Sequence, residues 1–205
     1  MRRSKRSRLR LVLWSAVALF ILVTAAFPRW ITVFYPRPHQ DVVYAMAAQY
    51  DVDPFLVFAI IRAESKYQTW AESPRGAKGL MQIMPETAAW IADQMKINDF
   101  EAEDLHDPEM NIRMGCWYLN DLLDEFNGSL PLTAAAYNAG RGKVGQWQEA
   151  GQWNGSAERL RDIPFPETRE YVKNVLANYR AYHAIYDHGR VGSRQEMVIQ
   201  ILGKT

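Results

Sequence analysis

Five prolines constrain this chain more than any other feature. Pro54, Pro85, Pro108, Pro131 and Pro166 each stand at or near the start of a segment whose apolar residues recur every three or four positions. Proline has a fixed φ and no N–H, so it suits the first turn of a helix and breaks the interior of one. Asp53 and Asp107 precede two of them and serve as N-caps. The pattern predicts helices from Pro54 through Glu64, from Pro85 through Trp90 and Ile91, and from Pro108 until Asn127-Gly128 ends it. Two more run from Pro131 to Asn138-Ala139-Gly140 and onward from Pro166, and a short one covers residues 41–50. In the helix from Pro166, Tyr171, Val175, Tyr179 and Tyr182 share a face. No segment alternates as a half-buried strand would. Only residues 79–84 could hold a short extended piece. The expected fold class is all-α, or helix-dominated.

The first 40 residues have another character. Residues 1–10 carry six basic groups and no acid, and residues 11–27 carry no charge at all. A basic end followed by an apolar run is retained on the cytoplasmic side and sends the rest of the chain outward. Seventeen residues is short for a membrane-spanning helix and long for a signal-peptide core. An uncleaved anchor is the expectation, with cleavage near Thr24-Ala25-Ala26 left open. Pro28, Pro36 and Pro38 mark residues 28–40 as a linker. Residues 41–187 then form one domain, and residues 188–205 a tail with a short helix expected over residues 197–202. An anchor places that domain in the cell envelope, on the extracytoplasmic side of the cytoplasmic membrane.

Residues 39–205 hold 16 basic and 23 acidic groups, a net charge of −7. That balance argues against a nucleic-acid binder. Cys116 is the single cysteine, so there is no internal disulfide, and its helical setting suggests a buried, inert thiol. His39, His106, His183 and His188 are scattered, so no metal site is expected, and nothing points to a cofactor.

Glu64 is the candidate chemical group. It falls seven, four and three residues after Val57, Ile60 and Ile61, closing an apolar stripe. A carboxyl held there has a raised pKa, because burial disfavours its charged form. A general acid needs that near neutral pH.

Four segments occur in order: Glu64-Ser65; Gly79-Leu80-Met81-Gln82; Ala136-Tyr137-Asn138-Ala139-Gly140; and Glu167-Thr168-Arg169-Glu170-Tyr171. With Ser73 between the first two, the set resembles the soluble-lytic-transglycosylase family across residues 41–187. The resemblance implies a lysozyme-like catalytic domain acting on peptidoglycan glycan strands. It implies Glu64 as the single acid/base, cleaving between N-acetylmuramic acid and N-acetylglucosamine with 1,6-anhydromuramyl ends. It implies substrate contacts from Ser73, Met81, Gln82, Tyr137, Asn138 and Tyr171, supported by Ser65, Gly79 and Glu167. Two other readings stay open. A lysozyme-type hydrolase needs a second carboxylate, for which Glu72, Glu86 and Glu149 are available. The third is an inactive peptidoglycan-binding domain. Trp147 and Trp153, flanking Gly151, could stack on sugar rings or anchor their loop.

Overall fold

The computed structural model describes residues 5–187. Eight α-helices account for most of them: α1 Lys5–Phe34, α2 Gln40–Gln49, α3 Pro54–Glu64, α4 Pro85–Met95, α5 Pro108–Glu125, α6 Leu130–Ala139, α7 Arg141–Glu149 and α8 Pro166–Tyr186. Two 3₁₀ segments, Ala102–His106 and Ala157–Asp162, join them. Among the described residues there is no strand, only two isolated bridges, Glu72 with Lys78 and Lys78 with Ile83. The second of these is the extended piece expected near residues 79–84.

The proline-led starts hold. Asp53 accepts from the Phe55 N–H at 2.8 Å and Asp107 from the Met110 N–H at 2.9 Å. One proline behaves otherwise: α1 continues through residue 28 to Phe34, so the helix break falls at residues 35–39 and not at 28. A proline removes one helical hydrogen bond, which a long helix can absorb. The tail at residues 188–205, with the helix expected over residues 197–202, lies outside the described residues.

The chain divides into two compact units. α1 belongs to one. The side chains described on it, at residues 10–24 and 32–34, are exposed, among them Leu11, Trp14, Phe20, Leu22 and Phe34. Among the described residues no helix is long and apolar enough to cross a membrane.

Arg37–Ala184 is the other unit, and its core forms around α3 and α5. Every residue from 55 to 61 is buried, so α3 is covered on all sides rather than along one stripe. α5 packs on α2, α4 and α6. Cys116 is fully buried there, and burial pushes its thiol up to about 12, so it stays protonated and inert. α7 is an element that the apolar spacing does not predict. It carries Trp147, whose surrounding sequence suggests a loop. Trp147 and Trp153 are 4% and 2% exposed, and the Trp153 indole donates to the Ser156 carbonyl at 3.1 Å. Both are anchors, which removes them as sugar platforms.

Candidate active site

Glu64 is the last residue of α3, and Ser65 caps the helix by donating its N–H to the Ile61 carbonyl at 3.0 Å. The Ser65 hydroxyl accepts from the Tyr67 N–H at 3.1 Å. Lys66 and Tyr67 then both adopt left-handed backbone, with φ of 51° and 69°. Side chains disfavour that region, so the chain turns sharply here only because its neighbours hold it. The Tyr67 hydroxyl bonds to the Tyr182 hydroxyl and donates to the Phe58 carbonyl.

The Glu64 carboxyl is raised from the usual carboxylate range to about 7. Burial is the main cause. The Tyr171 hydroxyl works the other way, stabilising the charged form, and the like charge of Glu167 adds to the rise. Part of the residue remains open to solvent, as a group that must meet a substrate requires. Tyr171 is the more telling neighbour. Its hydroxyl is buried and has no hydrogen bond of good geometry, although it lies close enough to Glu64 to act on it. Burial, then the charge of Glu64, drive the phenols of both Tyr171 and Tyr137 well above their ordinary value. The two phenols therefore keep their protons beside a carboxyl that exchanges its own near neutral pH.

A long loop from α3 to α4 forms the next wall. Ser73 closes a tight turn: its hydroxyl accepts from the Ala77 N–H at 3.0 Å and its N–H donates to the Ala77 carbonyl at 2.9 Å. Gly79 has φ of +76°, and a Cβ there would lie 2.0 Å from the Leu105 carbonyl oxygen. Gln82, at φ of 49°, donates its amide to the carbonyls of Ala71 and Gly79 at 3.0 and 2.9 Å. It fastens the loop from within. Met81 corrects an expectation. Its side chain is fully buried against Gly115, so it cannot line a groove. Only its carbonyl, which accepts from the Tyr137 hydroxyl at 2.8 Å, reaches the site. Asn138 is partly exposed on the last turn of α6, and Glu167 is exposed in the first turn of α8.

Asn111 belongs to no motif, and the sequence alone does not single it out. It is fully buried, accepts from the Met81 N–H at 2.8 Å, and donates to the carbonyls of Lys78 and Leu105 at 3.1 and 2.8 Å. One side chain thus satisfies three main-chain groups that the irregular loop leaves unpaired. The available signal is its spacing: Asn111, Gly115 and Tyr118 share one helix face, and a small residue there lets another segment approach.

The far end of α3 is tied down as well. One Asp53 oxygen caps the helix; the other accepts from the Tyr179 hydroxyl at 3.0 Å and lies 2.9 Å from His183 Nε2. α8 therefore touches α3 at both ends, through Tyr171 at Glu64 and through Tyr179 and His183 at Asp53. Among the described residues no group of His, Cys, Asp and Glu could hold a metal ion.

A helical globule with a largely buried glutamate of raised pKa at the end of its central helix is the class that fold and site define. Comparison with known proteins places it. A family model described as the transglycosylase SLT domain matches residues 41–159, and one described as the soluble lytic transglycosylase helical domain matches residues 162–190. The chain belongs to the SLT transglycosylase family. It is 39% identical over 157 residues to the soluble lytic murein transglycosylase of Salmonella typhimurium, covering 75% of this chain and 24% of that one. The Escherichia coli K12 protein of the same name is 38% identical over 155 residues, covering 74% and 24%. The membrane-bound lytic murein transglycosylase C of Actinobacillus pleuropneumoniae is 35% identical over 117 residues, covering 53% and 32%. Among solved structures, an inactive variant of the lytic transglycosylase Slt of Pseudomonas aeruginosa superposes with a TM-score of 0.70 at 35% identity, covering 75% of this chain and 25% of that one. The 70-kDa soluble lytic transglycosylase in complex with bulgecin A gives 0.68 at 32% identity, covering 89% and 31%. The chain spans about a quarter of the length of the soluble relatives it matches.

Proposed function

We infer that this chain is a lytic transglycosylase of the cell envelope that cleaves peptidoglycan glycan strands with Glu64 as its single acid/base. One observation carries the reading: a carboxyl near pKa 7 flanked by two protonated phenols. In the proposed sequence Glu64 gives its proton to the oxygen linking N-acetylmuramic acid to N-acetylglucosamine. As the C1–O bond breaks, the muramyl N-acetyl carbonyl stabilises the positive charge at C1. Glu64, now ionised, takes the proton of the muramyl 6-hydroxyl, whose oxygen bonds to C1. The product is a 1,6-anhydro ring, Glu64 regains its proton, and no water is consumed. Substrate-assisted schemes need only one carboxyl. The buried Tyr171 hydroxyl would stabilise the carboxylate between the two proton transfers.

Support for a single carboxyl comes also from the alternatives. Glu72 pairs with Lys78 at 3.5 Å, while Glu86 and Glu149 are exposed, and none of the three is among the groups that shift Glu64. Ser73, Gln82 and Asn138 are proposed to face the glycan from the rim, with Ser65, Gly79 and Glu167 supporting. The wild-type chain incubated with purified peptidoglycan should release muropeptides one water lighter than hydrolytic products, read by mass spectrometry. Hydrated reducing ends would overturn this in favour of a lysozyme. Binding without release would favour a non-catalytic domain.

We infer also that residues 11–27 attach the chain to the cytoplasmic membrane, with the catalytic unit on its outer side. The charge-free run and the exposed apolar side chains of α1 support this. Release of the chain from membranes by alkaline carbonate would overturn it.

A further inference from the structure

An aromatic series leaves the candidate active site and ends at the surface. The Tyr137 ring lies 5.6 Å from that of Tyr118, and Tyr118 lies 6.2 Å from Trp90, edge to face. Trp117 stands 5.4 Å from Trp90. The Arg141 guanidinium covers two adjacent rings of the series, 5.2 Å from the Trp90 centroid and 5.5 Å from that of Tyr118. Arg141 is itself fixed by Asp121 and by Glu125, the latter at 2.9 Å. The four rings come from α4, α5 and α6, and Arg141 opens α7, so a shelf is assembled from four helices. Trp90 is its outer end and is 39% exposed.

An aromatic surface so firmly braced has lost the freedom to turn inward. A fixed, partly exposed Trp ring with other aromatic rings packed beside it offers a preformed apolar face on which a ligand can stack without an ordering cost. Its charge selects the occupant. One guanidinium set against two carboxylates leaves the rim net negative, which disfavours an anionic peptide and, along a glycan strand, favours the uncharged N-acetylglucosamine ring over the carboxylate-bearing muramyl ring. A pyranose ring has an uncharged C–H face for an aromatic ring and hydroxyls for a polar rim. The ring contacts run from Tyr137, beside Glu64, through Tyr118 to Trp90, so the shelf lies two ring contacts from the candidate active site.

We propose that Trp90, braced by Trp117, Tyr118 and Arg141, is a stacking platform for an N-acetylhexosamine ring of the glycan strand, remote from the bond that is cut. The proposal rests on the functional reading above for the identity of the strand, but its test needs no turnover. The full chain carrying Glu64→Gln is titrated with stem-free glycan strands, prepared by amidase treatment of peptidoglycan, and with the disaccharide repeat alone. Trp90→Ala should weaken binding of the long strands about tenfold and leave the disaccharide unaffected. Trp90→Tyr, which keeps a ring, should restore most of the loss. Long-strand affinity within about twofold of the parent in Trp90→Ala would overturn the platform, as would an equal loss for the disaccharide. Near-ultraviolet circular dichroism on each variant separates a lost platform from a collapsed shelf. If Trp90→Ala collapses it, Trp90→Gln decides by the same criterion. A Glu64→Gln chain that binds no strand at all overturns the platform; failure of the wild type to cut, with strand binding intact, overturns only the catalytic reading.

Discussion

The Tyr137 hydroxyl donates to the main-chain carbonyl of Met81 across 2.8 Å, joining residues 56 positions apart. That bond links the last turn of α6 to the irregular loop before α4. Tyr137→Phe would leave a buried carbonyl unpaired, a cost of roughly 1–3 kcal/mol. Urea unfolding should show a loss in that range. An unchanged midpoint and slope would mean the carbonyl finds another donor.

The two neighbours of Glu64 push its titration in opposite directions. Tyr171 lowers its pKa and Glu167 raises it. Tyr171→Phe should therefore move the Glu64 titration upward, and Glu167→Gln should move it downward. Carbon-13 NMR of labelled glutamate carboxyls reads both. Shifts of the same sign in the two variants would contradict the arrangement.

Activity should follow the protonated form of Glu64. Release of muropeptides is expected to fall as pH rises through about 7, where the carboxyl loses its proton. Glu64→Gln should lower the rate by roughly 10²–10⁴-fold, the usual worth of general acid–base help. A flat profile across neutral pH would remove Glu64 from the role.

The same carboxyl acts on stability. Its pKa is about 7 in the folded chain against an ordinary 4.5. Between those values the native state holds a proton that the unfolded state has released, so stability declines as pH rises. Below 4.5 both states are protonated and the group is neutral in effect. Above about 7 both are ionised, and the folded state carries the whole penalty of a buried charge. Glu64→Gln should thus be the more stable protein at about pH 8, by about 1–3 kcal/mol, and gain little at about pH 4. Thermal melts at the two pH values test the sign. Greater stabilisation at the acid value would refute it.

Gly79 has no tolerated replacement. Alanine there would meet the Leu105 carbonyl oxygen at 2.0 Å, with φ of +76° adding strain. Gly79→Ala should cost at least about 2–4 kcal/mol. Gly76, with φ of +86° and nothing within 4 Å of an added Cβ, should cost only about 1 kcal/mol as alanine. Equal losses for the two, read by urea unfolding, would mean that backbone conformation, and not crowding, sets both values.

The helices are legible because their starts are written in proline and aspartate, and because α3, α5 and α8 have strong apolar spacing. α7 is not, since Gly142 and Gly145 dilute it and only Val144 and Trp147 repeat, three apart. Glu64, Tyr137 and Tyr171 are legible as motif residues, but no spacing could reveal that the two tyrosines enclose the carboxyl. Met81 misleads for the same reason. Its motif position is near the site, yet its side chain turns into the space that Gly115 leaves. Asn111 is silent because one polar residue on an apolar helix face looks the same whether it meets water or three main-chain groups.

The double attachment of α8 to α3 fixes a length. Tyr171 and Tyr179 are eight residues apart on one helix, and Glu64 and Asp53 are eleven apart on the other. Deleting one residue between the two tyrosines would turn them about 100° relative to each other. No rigid docking of α8 could then serve both ends of α3. Substitutions along this stretch of α8 are open to drift wherever its side chains face water, whereas its residue count is not, so variation here should come as exchanges and never as gaps.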